Sequence, residues 1–139
     1  EDLRNLRKNT IRSHVQVKHG NLDALDIPLL NESISLIMEK SDSFWNKDLL
    51  NMIKGYFLDM DTLFENFYRV MRPNRKIFFN VANSAYFGVE IKVDEIIAQI
   101  AERKGFTINE IRKARDLKVS SQQAGLIDKL RESVTVMTR

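Results

Sequence analysis

The sequence predicts an α/β chain, mainly helical over residues 1–72 and then strand, helix, strand, strand over 73–139. Three observations carry that reading. Residues 47–71 repeat apolar side chains at threes and fours (Leu49, Leu50, Ile53, Phe57, Met60, Leu63, Phe64, Phe67, Val70), the period of a helix with one buried face. Residues 76–82, KIFFNVA, form a short aromatic-rich apolar run between turn signals and read as a buried strand. Residues 132–138, ESVTVMT, alternate and are β-branched, the pattern of a last strand.

The other elements follow in order. Residues 2–18 read as a basic helix with a thin apolar stripe of Leu3, Leu6, Ile11 and Val15, broken at His19-Gly20-Asn21. Pro28 suits the first turn of a second helix, whose apolar positions are Leu29, Leu30, Ile34, Ile37 and Met38. Residues 41–46 read as a loop. Gly55 is a mild interruption of the long helix and a candidate bend, and Arg72-Pro73-Asn74-Arg75 ends it. Residues 83–88, NSAYFG, read as a loop. Residues 93–104 read as an amphipathic helix closed by Gly105. Residues 106–117 begin as a strand with a basic tail, and 120–125 are a polar loop. Strand, loop, helix and strand in that order predict a parallel unit. With about three strands and no repeat or linker, the chain reads as one domain, the back half of a larger sheet.

Composition excludes several chemistries. A chain of 139 residues without cysteine has no disulfide, thiolate zinc site or cysteine nucleophile. That suits a reducing compartment, and a cytoplasmic location is expected. No apolar run approaches the ~20 residues of a membrane span, and no signal peptide opens the chain. Five glycines, with neither GxGxxG nor GxxxxGK[ST], do not support a self-contained nucleotide fold. The first residue is Glu1 rather than Met, so the chain is expected to begin partway through a longer product. The net charge of +3 is unevenly spread: residues 1–20 carry +3, 21–102 carry −5 and 103–139 carry +5. If the ends meet they form a positive face for phosphates, and otherwise they are merely solvated.

Both histidines, His14 and His19, lack the carboxylate spacing of a metal site and read as surface residues. In parallel sheets, ligands sit beyond the carboxyl ends of the strands, so the loop after 76–82 is placed to face a site. There Asn83 and Ser84 offer hydrogen bonds, and Tyr86 and Phe87 could stack on a base. A plain turn with core aromatics is the other reading of the same residues. Ser120, Ser121, Gln122 and Gln123, flanked by Arg115, Lys118, Lys129 and Arg131, suit phosphates or base edges, or form a solvated loop.

Taken together and in order, these pieces resemble a family. They are Arg12-Ser13-His14, residues 56–73 (YFLDMDTLFENFYRVMRP), residues 83–106 (NSAYFGVEIKVDEIIAQIAERKGF), the SSQQ of 120–123 and the RESVTV of 131–136. The line-up resembles the C-terminal half of SAM-dependent DNA methyltransferases of the exocyclic-amine type, the bacterial modification methylases. Those carry RVLKPGG before the fifth strand, then GNS-Y-G, PVD-ILAEIAEE-GF, SSGQQ or SSQQ, and RESI-V. The resemblance covers nearly the whole chain. Each motif alone is weak; five at the right spacing are fairly specific.

The resemblance implies a Rossmann-like sheet of order 3-2-1-4-5-7-6 with the last strand antiparallel, of which this chain supplies strands five, six and seven. It implies S-adenosylmethionine as methyl donor in the complete enzyme, and DNA as partner, methylated at N6 of adenine or N4 of cytosine after base flipping. Asn83, Ser84 and Tyr86 would line the cofactor or base pocket. Arg12, His14, Arg112, Lys113, Arg115, Ser120, Ser121, Gln122 and Gln123 would face DNA. Arg131-Glu132 would be a structural pair, and no residue here would be catalytic.

Two family parts are missing from the sequence. No [DNS]PP[YW] occurs, since Pro28 and Pro73 each lack a proline neighbour, and no FxGxG loop occurs. The chain is therefore expected to bind no cofactor alone and to be inactive alone. A non-catalytic DNA- or protein-binding remnant is the alternative. Asn74 stands where the family has glycine; it can adopt the left-handed conformation, so the turn can survive. Without a fourth strand, one edge of strand 76–82 is open, and an N-terminal half or a second copy is expected to pair with it.

Overall fold

The computed structural model describes residues 3, 6, 10–13, 25–40, 46–121 and 125–139. From Pro28 onward the described residues form α1 (Pro28–Lys40), α2 (Asn46–Val70), β1 (Lys76–Ala82), β2 (Ser84–Tyr86), β3 (Val89–Ile91), α3 (Val93–Arg103), β4 (Thr107–Lys118) and β5 (Lys129–Thr138). The main sheet has the order β1-β5-β4, and β5 is antiparallel to both neighbours. β1 and β4 therefore run the same way, joined through α3, but are not adjacent. The parallel unit predicted from strand–helix–strand is corrected in this respect: the last strand takes the place between them. That insertion is the order 5-7-6 implied by the resemblance.

One face of the sheet is buried under α2 and α3. Alternation puts Ile77, Phe79 and Val81 of β1 on that face, opposite Met137, Thr135 and Ser133 of β5. Ile77, Phe79, Val81 and Met137 pack with Phe57, Met60, Phe64, Ile97 and Ile100 in a single core. Phe64 meets Phe67, Phe79 and Phe106 edge to face, with ring centroids 5.0–6.1 Å apart. Phe78, on the opposite face, is 67% exposed. Among the described residues the outer edge of β1 is unpaired.

Asn74 takes φ 61°, the left-handed conformation expected of it, and its N–H donates to the carbonyl of Arg139 at 2.8 Å. The carboxyl end of α3 closes in a Schellman turn. The N–H of Gly105 donates to Glu102 and that of Phe106 to Ala101 at 3.0 and 3.1 Å. Gly105 has φ 103°, and the Tyr68 ring fills the space a Cβ would need.

Other expectations are corrected. Gly55 does not break α2, which runs through it. The basic helix over 2–18 is not continuous, because residues 10–13 are non-helical. Residues 83–88 are not a loop. Ser84–Tyr86 pairs with Val89–Ile91 in a hairpin whose turn is Phe87-Gly88. A three-residue strand shows too few alternations to be read from its sequence. Asn46, placed in a loop, is the first residue of α2; residues 41–45 lie outside the described residues.

Candidate nucleic-acid interface

β1 delivers the chain to Asn83, which is 4% exposed. Its N–H donates to the Arg131 carbonyl at 2.9 Å, and its Nδ2 donates to Glu90 Oε1 at 2.9 Å. Its Oδ1 accepts the N–H of Asp94 at 3.3 Å. Lys92, at the N-cap of α3, makes no side-chain cap bond, so Asn83, between β1 and β2, satisfies one of the helix's open amides.

Arg131 reaches the same turn from β5. Its Nε donates to Asp94 Oδ2 at 2.7 Å and its Nη2 to Glu95 Oε1 at 3.0 Å. Asp94 has no exposed side-chain surface, and its Oδ1 accepts the N–H of Glu95 at 2.9 Å. The hydrogen bond to Asp94 is the main cause of a raised Arg131 pKa, against the opposing effect of burial. Glu132, next in sequence, points to the other face of the sheet. There it accepts from Arg115 and, at 3.1 Å, from Asn80 Nδ2, and these bonds hold its carboxyl below the usual range. Arg131 and Glu132 are thus not a pair with each other, because neighbouring strand residues face opposite sides. The acids at the start of α3 went unnoticed in the sequence. Asp94-Glu95 in the first turn of a helix is the signal that could have found them.

The three residues predicted for one pocket divide between two clefts. Ser84 and Tyr86 line a cleft of about 180 Å³ together with Arg12, Ser13, Tyr56 and Phe57. Burial raises the hydroxyl pKa of both Tyr56 and Tyr86. Asn83 belongs to another cleft, of about 350 Å³, with Glu90, Lys92, Lys113, Lys129 and Arg131. The first is smaller than the ~300–1,000 Å³ of ordinary small-molecule sites. The second is lined almost wholly by charged groups and lacks the apolar walls an adenosyl group needs. Neither of these two clefts by itself fits S-adenosylmethionine.

The residues predicted to meet phosphates are engaged with acids. Arg12 donates its backbone N–H to Asp59 Oδ2 at 2.7 Å, and its Nε and Nη2 reach Oδ1 at 3.0 and 2.7 Å. Arg112 pairs with Glu110 at 2.5 Å, Lys113 with Asp116 at 2.6 Å and Arg115 with Glu132. Hydrogen bonding from Lys113 is the main cause of a lowered Asp116 pKa. Arg112 and Arg115 stand opposite Val134 and Glu132, and Lys113 stands opposite Ser133 on the helix-covered face. Ser120 and Ser121 are exposed; His14, Gln122 and Gln123 lie outside the described residues. The two loops singled out in the sequence are neighbours here. A Cβ on Gly88, in the hairpin turn, would stand 3.2 Å from Leu126 Cβ. Among the described residues no group of three or more acids or histidines could hold a metal, and no helix is long and apolar enough to cross a membrane.

Fold and site define an α/β chain whose loops gather at one end of an antiparallel sheet, over a turn locked by Asn83 and Arg131. Its homologues are type II methyltransferases. The chain is 36% identical over 94 residues, 66% of its length, to the type II methyltransferase M.BsoBI of Geobacillus stearothermophilus. It is 31% identical over 121 residues, 79% of its length, to the type II methyltransferases M.AvaI of Nostoc sp. and of Anabaena variabilis. The matches span 18% of the first relative and 25% of the others. No family model and no solved structure matches the chain.

Proposed function

We propose that the chain is the C-terminal portion of a Rossmann-like, SAM-dependent DNA methyltransferase that modifies an exocyclic amine of adenine or cytosine. The observation that carries this reading is the similarity to type II methyltransferases over most of the chain. The sheet order β1-β5-β4, with an antiparallel last strand, supports it. In this reading the chain does no chemistry alone. Asn83 and Arg131 fix the turn from which the hairpin projects. Ser84 and Tyr86 form part of a pocket wall. The exposed basic side chains of β4 lie toward DNA with Ser120 and Ser121, exchanging acid partners for phosphates.

The open edge of β1 is where the rest of the sheet would join. The experiment replaces the matching segment of M.BsoBI with this chain and measures tritium transfer from labelled S-adenosylmethionine to DNA. The expected result is transfer by the chimera and none by the 139-residue chain alone. A folded chimera without transfer would overturn the reading. Analytical ultracentrifugation of the isolated chain tests the edge: self-association with rising concentration is expected, and a monomer at all concentrations counts against it.

A further inference from the structure

The hairpin β2–β3 closes in a two-residue turn, Phe87-Gly88, with both residues at positive φ, 51° and 72°. Turns of this kind are dominated by Asn-Gly and Asp-Gly, because a bulky side chain rarely adopts the left-handed conformation. A phenylalanine holds the first position here. Its side chain is left 37% exposed there. Leu126, packed against Gly88 from the neighbouring loop, is 64% exposed. Phe87 and, across Gly88, Leu126 thus place two partly exposed apolar side chains at the hairpin tip.

Beside the tip lies the cleft that starts at the hairpin's base with Asn83 and Glu90. Four cations line it, Lys92, Lys113, Lys129 and Arg131, against the three carboxylates Glu90, Glu95 and Asp116. Lys113 and Lys129 share the single carboxylate of Asp116, at 2.6 and 3.5 Å. An apolar tip next to lysines that share an acid fits a polyanion with an apolar interior, which is duplex DNA at an opened base step.

We propose that Phe87, backed by Leu126, is a wedge that enters the base stack of DNA at an opened step while Lys113 and Lys129 meet the flanking phosphates. This inference rests on the reading that the chain contacts DNA. A wedge favours a step whose unstacking is already done, so an abasic site should be preferred over a paired one. Loss of one base–aromatic contact corresponds to a change of about fivefold or more in affinity.

The test uses a fluorescein-labelled duplex with one abasic site and its fully paired counterpart, at low salt. The unaltered chain is expected to bind the abasic duplex about fivefold or more tightly. Phe87→Asn should bring the two affinities together. It should also raise the melting temperature by about 3 °C, because asparagine suits the turn. Leu126→Ser should narrow the ratio without lowering the melting temperature. An unchanged ratio in both variants, with DNA still bound, overturns the wedge alone. A lower melting temperature for Phe87→Asn overturns the conformational premise and the proposal with it. Failure of the folded chain to bind either duplex overturns both the wedge and the DNA reading.

Discussion

Gly55 and Arg12, 43 positions apart in the sequence, are in contact: a Cβ on Gly55 would stand 2.9 Å from Cδ of Arg12 and 3.1 Å from its Nε. Arg12 cannot swing away freely, because its backbone N–H and guanidinium are both bound to Asp59. Helix propensity alone favours alanine over glycine by about 1 kcal/mol. Hydrogen bonds to charged groups contribute about 1.5–3 kcal/mol, less where water reaches them. Gly55→Ala is therefore expected to cost about 1 kcal/mol net. In an Arg12→Ala background the same substitution should stabilise. Thermal melts of the four proteins give the cycle.

Arg131→Ala should cost about 2–3 kcal/mol, since it leaves Asp94 charged without surface exposure. The cost falls below the ~3–5 kcal/mol of fully buried pairs because Arg131 is itself 35% exposed. Arg131→Lys should recover only part of the loss, for one ammonium cannot serve two carboxylates with the geometry of the planar fork. Urea midpoints at neutral pH measure both.

Acid should remove the contribution of Glu132. Its folded pKa lies below the ordinary value of 4.5, because of the Arg115 hydrogen bond first and Asn80 second. A depressed carboxyl contributes stability that is whole above the unfolded value and is lost as pH falls through the lower folded value. Glu132→Gln is thus expected to melt lower than the unaltered chain at pH 7. The gap should close as pH falls below 4.5. Added salt should narrow it at every pH.

Thr135→Val should stabilise. Thr135 has no exposed surface, and its Oγ1 has no hydrogen-bond partner among the described residues. Removing an unsatisfied buried hydroxyl of similar shape returns about 1 kcal/mol. A melting temperature equal to or below the parent's would mean that this oxygen is satisfied in solution.

The long helix 46–70, the strand at 76–82 and the 132–138 part of the last strand were legible because their apolar spacing is a local record of which face is buried. The left-handed Asn74 was legible from the chemistry of one residue type. The similarity to type II methyltransferases was likewise carried by short motifs in order. The hairpin at 84–91 was not legible: three-residue strands carry too little alternation, and Phe87 disguises a turn that Asn-Gly would have announced. The division of Asn83 from Ser84 and Tyr86 could not be read either, because it depends on where a strand begins.

What the sequence determined by itself was the identity and extent of most elements, since helix and strand periodicities are written within each segment. The place of β5 between β1 and β4 came from the family resemblance and not from the periodicities, which suggested a parallel pair. Tertiary structure alone decided that Arg131 serves Asp94 and Glu95 rather than Glu132, and that Arg12 is held by Asp59. Strand order and ion pairing join residues far apart in the chain. They are selected by the burial and hydrogen bonding of the whole fold, which no single segment records.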